Sequence, residues 1–411
     1  MKTRREFLQT ATVGTAVVSA APYVIAADRV KGANERPGVG FIGVGGRAQA
    51  HIGHVLNLKT RGLCDPVAVC DVYGPRAQAA AQRTGGKIYR NYKELLADPG
   101  VDIVCIATPD RHHAPQAIDA VRAGKDVYCE KPLTHWSQMD LARQLGEETE
   151  KHKRIVQVGT QYVADDAYDE ARKLIKEGIV GKVVHVQAGY FRRGDWGERM
   201  PIPDANAKPG PELDWEQFLG DAPKVPFSVS RFFQWRLFWD YAGGPSTDLL
   251  VHVFTPIFRV LDLDFPERVL GGGGNFQYQR EVPDQCNIIA DYAGGPTVVL
   301  MNSLSNYTPI QAILRGTDGA ILWGDIEHFG PGIRIVPANK AKKEVLIPWQ
   351  GAGDTQKLWD NFIACVKTRQ RPFSPIDIAV RVQAPLNMGI LSHRENKVAK
   401  YDKATGKIVL V

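Results

Sequence analysis

The chain has 411 residues, and 51 basic against 45 acidic side chains give it a formal net charge of +6. This length exceeds a single ordinary core, so two domains are expected. Hydrophobic residues at 44% and charged residues at 23% are typical of a globular protein. No dense basic run and no long apolar stretch is present, so we expect neither a nucleic-acid partner nor a membrane span.

Residues 1–27 have the layout of an export signal. Thr3–Leu8 contains a twin-arginine pattern, an apolar run follows from Ala11 to Ala21, and Ala26 and Ala27 offer a peptidase site. The pattern predicts export of the folded protein by the twin-arginine route to the periplasm or another extracytoplasmic space. A disordered basic N-terminus is the alternative. The six cysteines lack metal-ligand spacing, so no metal site is expected.

Strands and helices alternate through residues 36–158. Apolar runs predict buried strands at Val39–Ile42, Val67–Cys70, Ile103–Ala107, Val127–Cys129 and Ile155–Val158. Helical patterns lie between them at Ala48–Leu58, Pro75–Arg83, Tyr92–Ala97, Pro115–Ala123 and Trp136–Lys151. Such alternation predicts βαβ units and therefore a parallel sheet, the α/β architecture of a Rossmann domain.

Residues 159–411 have a different pattern, which predicts a second α/β domain. A proline- and glycine-rich stretch, Gly194–Pro226, predicts a long surface excursion anchored by Trp196 and Trp215. Gly271–Gly274 is interpreted as a flexible lead-in, and Thr355–Thr368 as the last helix. Strand-like segments with few helices between them predict a large, mostly antiparallel open sheet, at Asn287–Tyr292, Val298–Leu304, Ala312–Gly316, Ala320–Trp323, Ile333–Val336 and Glu344–Ile347.

The first strand runs directly into a glycine turn, Gly43-Val44-Gly45-Gly46-Arg47-Ala48, and then into a helix. Gly43 permits a tight turn, and Gly45 lets the backbone approach a pyrophosphate at the helix N-terminus. With a strand before it and a helix after it, this pattern predicts a dinucleotide site that includes Gly46 and Arg47.

Asp71 ends the second strand, where a carboxylate can accept hydrogen bonds from the adenosine ribose and repel a 2′-phosphate. NAD is therefore favoured over NADP, although the nearby Arg76 leaves NADP open. An ordinary turn residue is the alternative interpretation of Asp71. Thr108-Pro109 ends the third strand and passes under the cofactor, and Glu130-Lys131 ends the fourth.

Proton chemistry is expected at Lys131, Asp248 and His252. Oxidation of a carbinol needs a base for the hydroxyl proton while the hydride leaves for the nicotinamide. Asp248 and His252 are four residues apart on a predicted helix and so share a face, where the carboxylate can orient the imidazole. Lys131 can bind the substrate oxygen. A surface helix pair and a solvated turn are the alternatives.

Aromatic residues between Phe232 and Trp239 can stack on a sugar ring, and Arg236 can bind its hydroxyls or a carboxylate; core packing is the alternative for about half of these rings. Gln161 and Tyr162, just after Gly159, are expected near the nicotinamide.

The glycine turn, Asp71, Thr108-Pro109 with His113, Glu130-Lys131-Pro132, and Gly243-Gly244 followed by Asp248 and His252 resemble the glucose–fructose oxidoreductase / inositol dehydrogenase (Gfo/Idh/MocA) family. This resemblance implies a Rossmann domain joined to an α/β domain whose open sheet forms a dimer or tetramer contact. It implies that His252 is the acid/base, assisted by Lys131 and Asp248. Trp235 and Arg236 are implied near the substrate, and His113 and Glu130 near the cofactor.

The predicted export and the predicted dinucleotide cofactor are difficult to reconcile, because free NAD is not expected outside the cytoplasm. The sequence therefore favours tightly bound NAD. The leading hypothesis is a sugar or polyol oxidoreductase. The alternative is a glycoside hydrolase that uses NAD in a redox-neutral cycle of oxidation, elimination, hydration and reduction, and a silent NAD-binding protein is a third, less favoured interpretation.

Overall fold

A computed structural model describes residues 36–194, 201–324, 330–351 and 353–411. The predicted export signal and Trp196 lie outside these residues. All six cysteines are buried and free. No helix in the described parts of the chain combines the length and hydropathy needed to cross a membrane.

The first part of the chain forms a parallel sheet of six strands in the spatial order β3-β2-β1-β4-β5-β6. The strands are β1 (Gly38–Ile42), β2 (Asp65–Cys70), β3 (Lys87–Tyr89), β4 (Ile103–Ile106), β5 (Asp126–Cys129) and β6 (Val156–Val158). Every residue of β1, β4, β5 and β6 is buried, which explains why these strands are continuous apolar runs. The short edge strand β3, with two of its three residues exposed, was not predicted.

The helices of this part cover both faces of the sheet. They are α1 (Gly46–Thr60), α2 (Gly74–Thr84), α3 (Tyr92–Ala97), α4 (Asp110–Arg122) and α5 (Met139–His152). The predicted start of α4 at Pro115 is wrong by five residues. Asp110 lies in its first turn, where a carboxylate suits a helix N-terminus, and Pro115 is accommodated inside the helix.

The second part of the chain forms a mixed sheet of ten strands in the order β14-β13-β12-β11-β7-β10-β9-β8-β15-β16. Only the pair β7–β10 is parallel among the pairings described, which confirms a mostly antiparallel sheet. The strands are β7 (Val183–Phe191), β8 (Arg268–Gly274), β9 (Gln285–Asp291), β10 (Thr297–Ser303), β11 (Ala312–Gly316), β12 (Gly319–Trp323), β13 (Gly332–Pro337), β14 (Val345–Pro348), β15 (Ala399–Asp402) and β16 (Lys407–Leu410).

Seven helices are described in the second part: α6 (Ala167–Lys176), α7 (Trp215–Leu219), α8 (Val229–Phe233), α9 (Pro245–Asp248), α10 (Leu250–Leu261), α11 (Thr355–Thr368) and α12 (Ile376–Glu395). The prediction that α11 is the last helix is wrong. Helix α12 is 20 residues long and carries Pro385 in its interior, and buried side chains surround it, so it lacks an amphipathic signature.

Gly271–Gly274 is part of strand β8, so its interpretation as a flexible lead-in is wrong. A Cβ at Gly271 would lie 1.9 Å from the backbone oxygen of Gly389 on α12. The glycines therefore allow helix and sheet to approach closely.

Helix α11 returns to the first sheet. Leu358, Trp359 and Phe362 on this helix are buried in the same cluster as Ile52 and Val55 of α1. The C-terminal part of the chain thus contributes to the core of the Rossmann layer.

Candidate active site

A cleft of about 1470 Å³ lies at the carboxyl ends of β1, β2, β4 and β5. Residues of the first part line one side, and Trp235, Arg236, Asp248 and His252 of the second part line the other. Parallel α/β sheets bind ligands at this edge. The volume exceeds that of most small-molecule pockets and suits a dinucleotide together with a small substrate.

The glycine turn forms the floor of the cleft. Gly43 has a φ of +76°, and a Cβ there would lie 2.7 Å from the Thr108 side chain, so glycine is required. Helix α1 begins at Gly46, and no side chain caps it in the described structure. A Cβ at Gly46 would meet no atom within 4 Å. The turn therefore leaves open space before an uncapped helix N-terminus, which fits a pyrophosphate.

Asp71 joins the end of β2 to the glycine turn. Its Oδ2 accepts a hydrogen bond from the Val44 N–H at 2.8 Å, and its Oδ1 accepts one from the Tyr73 N–H at 2.9 Å. Asp71 lines the cleft with 7% of its surface exposed. Each carboxylate oxygen can accept a second hydrogen bond, so the predicted ribose contact is compatible with this geometry.

Arg76 also lines the cleft, beside Gly45. Its guanidinium carbon lies 5.1 Å from the ring centre of Phe233 and 5.4 Å from that of Phe232. These aromatic rings of the second part thus hold a cation next to the glycine turn.

Thr108, Pro109 and His113 lie where the sequence predicted them, along the cleft. His113 is almost fully buried, and its Nδ1 and Nε2 lie 2.6 Å and 2.8 Å from the backbone oxygens of Pro132 and Thr108. Burial lowers the pKa of His113 to about 4. A neutral imidazole carries one N–H, so His113 donates a hydrogen bond to one of these oxygens and only lies against the other. It packs between the two strand ends in the wall of the cleft, which is a structural role.

Glu130 is buried in the wall of the cleft, and Arg47 reaches it from α1. The Arg47 Nε donates to the Glu130 Oε1 at 2.7 Å, and the other side of the guanidinium lies beside the Gln161 amide. Burial by itself would raise the pKa of Glu130, but the Arg47 charge and a hydrogen bond from His51 hold it well below its usual range. Glu130 is thus a buried, ionised carboxylate.

Lys131, Asp248 and His252 converge at one end of the cleft. The Lys131 Nζ donates to the Asp248 Oδ1 at 2.5 Å and to the Asp248 backbone oxygen at 3.0 Å. Asp248 ends α9 and His252 lies in α10, with Leu249 between the two helices. The prediction of one continuous helix is wrong, yet both side chains line the same cleft.

His252 is 6% exposed, and the rings of Tyr162 and Tyr190 meet it edge to face with centroid distances of 5.2 Å and 6.5 Å. Burial, and then the charge of Lys131, lowers the pKa of His252 to about 3. The imidazole is therefore neutral at neutral pH.

Trp235 and Arg236 occupy the same end. The Arg236 guanidinium carbon lies 4.2 Å from the Trp235 ring centre, and its Nε lies 3.5 Å from the Asp248 Oδ1. One face of Trp235 is thus covered by Arg236 and is not open for the sugar stacking expected from the sequence. Within the described ranges, no three His, Cys, Asp or Glu side chains are grouped so as to hold a metal ion.

Sequence reasoning missed several residues of the site. His51 contacts Glu130, Trp359 donates a hydrogen bond to His51, and Tyr190 contacts His252. The i+4 spacing of Arg47 and His51 on α1 is a signal that could have placed both on one face. No local pattern indicates Trp359, which lies 308 residues from His51.

The described chain thus combines a parallel and a mostly antiparallel sheet, with a cleft at the edge of the parallel sheet that suits a dinucleotide. Residues 38–160 match the model of an oxidoreductase family with an NAD-binding Rossmann fold, and residues 165–410 match the C-terminal α/β domain of that family. The chain therefore belongs to the Gfo/Idh/MocA oxidoreductase family.

Curated relatives match part of the chain. Inositol 2-dehydrogenase of Salmonella typhimurium is 32% identical over 154 residues, which are 37% of this chain and 45% of that protein. The enzyme of the same name from Gluconacetobacter diazotrophicus is 33% identical over 197 residues, 47% of this chain and 57% of that protein. The matched stretches thus span about half the length of these relatives.

Solved structures match nearly all of the chain in fold. Levoglucosan dehydrogenase in complex with NADH has a TM-score of 0.66 at 19% identity, with 92% of this chain and 99% of that chain covered. The WlbA dehydrogenase from Bordetella pertussis, in complex with NADH and UDP-GlcNAcA, has a TM-score of 0.65 at 18% identity, with 90% and 99% covered. Both confirm the fold.

Proposed function

We propose that the protein is an NAD-dependent oxidoreductase that transfers a hydride between the nicotinamide and a carbinol of a sugar or polyol. The convergence of Lys131, Asp248 and His252 at one end of a dinucleotide cleft carries this proposal. The inositol 2-dehydrogenases and the two NADH-bound dehydrogenases described above support the same class of reaction.

In this proposal His252 takes the hydroxyl proton of the substrate. Its imidazole is neutral and so has a lone pair for the proton, and the Asp248 carboxylate stabilises the imidazolium that forms. The Lys131 ammonium donates a hydrogen bond to the carbinol oxygen and favours its ionisation. When bound, NAD would supply the hydride acceptor: the carbinol C–H bond would give its electron pair and hydrogen to the nicotinamide, and the O–H proton would stay on His252.

NAD is proposed over NADP. The Asp71 carboxylate lies at the end of β2 in the cleft, where a negative charge disfavours a 2′-phosphate. Arg76, beside the glycine turn, carries a positive charge that would instead favour a 2′-phosphate. Substitution at Asp71 therefore tests the cofactor preference.

A resident, slowly released cofactor is also proposed, and residues 201–221, here named the cover segment, support it. Backbone hydrogen bonds join Glu212 and Asp214 of this segment to Gly74 and Val72 beside Asp71. Residues of the segment line the cofactor cleft. A dinucleotide in the cleft would leave only after these contacts break.

Side-chain contacts add to the cover. The Tyr73 hydroxyl donates to the Asp204 carboxylate at 2.8 Å, and the His112 imidazole lies 2.7 Å from the Phe218 backbone oxygen. Residues 201–226 of the predicted excursion are described and include the cover segment, and its contacts beside the cleft support slow release.

Export by the twin-arginine route remains a proposal, because it depends on Thr3–Leu8, and it accords with a resident cofactor. Fusion of residues 1–35 to a reporter that is active only after export, beside a variant with Arg4 and Arg5 replaced by lysine, tests it. Activity that is insensitive to this replacement contradicts export by that route.

A homo-oligomer is proposed through the open face of the ten-stranded sheet. Leu270, Ile289, Val299, Gln187 and Ile313 lie in register across five adjacent strands. Leu270 and Ile289 are 46% and 44% exposed, which indicates a surface suited to a second copy. Light scattering after gel filtration tests this, and a monomer at micromolar concentration contradicts it.

The experiment that tests the main proposal adds NAD and a panel of polyols and aldoses to the purified protein and follows the absorbance of reduced nicotinamide. Chromogenic glycosides without added NAD test the hydrolase alternative. The relatives named above are dehydrogenases and favour the first outcome, and no feature of the described cleft specifically favours hydrolysis.

A further inference from the structure

A buried chain of hydrogen bonds lies behind the Glu130–Lys131 turn. The Trp359 Nε1 lies 2.9 Å from the His51 Nδ1, and the His51 Nε2 lies 2.8 Å from the Glu130 Oε1. His51 and Trp359 are fully buried, and Glu130 is 3% exposed. Burial of polar side chains costs desolvation free energy unless they hydrogen-bond one another. These three side chains therefore depend on one another for their burial.

The chemistry of the donors fixes the direction of this chain. An indole N–H can only donate, so the His51 Nδ1 must accept and carries no proton. The proton of the neutral imidazole is then on Nε2, from which it is donated to Glu130. Burial, and then the charge of Arg47, lowers the pKa of His51 to about 4. The neutral form with the proton on Nε2 is therefore the form present at neutral pH.

The Glu130 carboxylate accepts hydrogen bonds from three donors, and one of them is the backbone N–H of Lys131. Arg47 and His51 both donate to Oε1, and the Lys131 backbone N–H donates to Oε2 at 3.1 Å. The Glu130 carboxylate also interacts electrostatically with the Lys131 ammonium, with Cys105 on β4, His113 on α4, Tyr128 and Cys129 on β5, and His252 on α10.

We propose that His51 and Trp359 are positioning residues for the proposed hydride transfer. Their chain orients the Glu130 carboxylate, which holds the Lys131 backbone and so sets where the Lys131 ammonium meets Asp248 and the substrate oxygen. This inference rests on the proposed function. It extends that function to two residues that do not line the cleft.

Four substitutions test the chain. Trp359→Phe removes the indole N–H but keeps a ring to stack on Tyr128, whose centroid lies 4.4 Å away. His51→Leu removes both ring nitrogens, whereas His51→Gln restores an amide donor towards Glu130. Tyr128→Phe is the matched control, because its buried hydroxyl has no hydrogen-bond partner among the described residues.

We expect kcat with the best polyol of the panel to fall about tenfold in His51→Leu and about fivefold in Trp359→Phe, while the Kd for NADH changes less than about twofold. The acid limb of the kcat profile should move to higher pH in His51→Leu, because Glu130 loses a donor that lowers its pKa. His51→Gln should restore most of both quantities, and Tyr128→Phe should resemble the wild type.

An unmoved acid limb, no rescue by His51→Gln, or an equal loss in Tyr128→Phe would overturn the inference. Nitrogen NMR of histidine-labelled wild-type protein with bound NADH separates it from the proposed function. The Nε2-protonated tautomer of His51 is expected, and an Nδ1-protonated ring would overturn the chain even in an active enzyme. Failure of every polyol to reduce NAD would instead contradict the proposed function, with the tautomer still measurable.

Discussion

The Lys131 ammonium and the Asp248 carboxylate form an ion pair of 2.5 Å, with side chains only 10% and 9% exposed. Such a pair loses the hydration of both ions and contributes little net stability. The ion pair lies in the same cleft as His252, and both of its charges affect the pKa of that imidazole. A role in proton transfer therefore fits the pair better than a role in stabilising the fold.

The first prediction concerns Lys131→Met. Burial, and then the charge of Lys131, lowers the pKa of His252 to about 3. Removal of that charge should therefore raise the pKa of His252. We expect kcat to fall about a hundredfold or more, and the ionisation of His252, followed by NMR, to move to higher pH. Lys125→Met is the control, since Lys125 binds the backbone oxygens of Asp98 and Val101 outside the cleft. An unchanged His252 titration would contradict the coupling.

The second prediction concerns Asp71→Asn. This substitution keeps a side-chain oxygen that can accept from a backbone N–H but removes the charge that disfavours a 2′-phosphate. We expect the ratio of NADP to NAD affinity to rise about tenfold or more by fluorescence titration, since a pair of like charges is removed. Asp102→Asn, at a carboxylate that accepts from the Gly38 N–H, is the control. An unaltered ratio would show that Asp71 does not set the cofactor preference.

The third prediction concerns the cover segment. Tyr73→Phe removes the hydrogen bond to Asp204 and should speed NADH dissociation about fivefold to tenfold in stopped-flow fluorescence. Tyr89→Phe removes a similar bond, to Asp98 at 2.6 Å, away from the cleft, and should leave dissociation unchanged. Equal rates in the wild type and Tyr73→Phe would argue against a cover that retains the cofactor.

The fourth prediction concerns the dependence of stability on pH. Burial lowers the pKa values of His51 and His113 to about 4 and that of His252 to about 3. In the unfolded chain these histidines have an ordinary pKa of about 6.5, so they take up protons as the pH falls below that value, whereas the folded protein does not. Their contribution to the free energy of unfolding is therefore complete above about pH 6.5 and is lost as the pH falls towards 4. The loss is at most about 1.4 kcal/mol per pH unit for each histidine.

Urea unfolding of the wild type and of His113→Asn between pH 7 and 4 measures this dependence. A smaller slope is expected in the variant, because one of the buried neutral imidazoles is gone. A free energy of unfolding that is flat across this range would contradict the assignment of these histidines as neutral in the folded state.

Much of the first sheet could be predicted because its information is local. The apolar run of β1 is followed directly by the glycine turn. Asp71 and Glu130 come directly after β2 and β5, and Thr108 comes two residues after β4. Lys131 and Asp248 could be placed in one cleft from the sequence because each lies in a short motif of the family, although one predicted helix is two in the structure.

Contacts between distant segments could not be predicted in this way. The hydrogen bond of Trp359 to His51 spans 308 residues, and the fit of Gly271 against Gly389 exists only after α12 has packed on the sheet. Helix α12 itself is buried on almost every side, so periodicity gives no amphipathic signal for it.

The most direct test of the central claim is the transfer of deuterium from the carbinol carbon of an active polyol to NAD, with the reduced nucleotide identified by mass spectrometry. We expect deuterated NADH from the wild type and a rate about 10²–10⁴-fold lower from His252→Ala, with NADH binding unchanged in both. His393→Ala, on α12, should behave as the wild type. No labelled NADH from any member of the panel, or an undiminished rate in His252→Ala, would contradict the account.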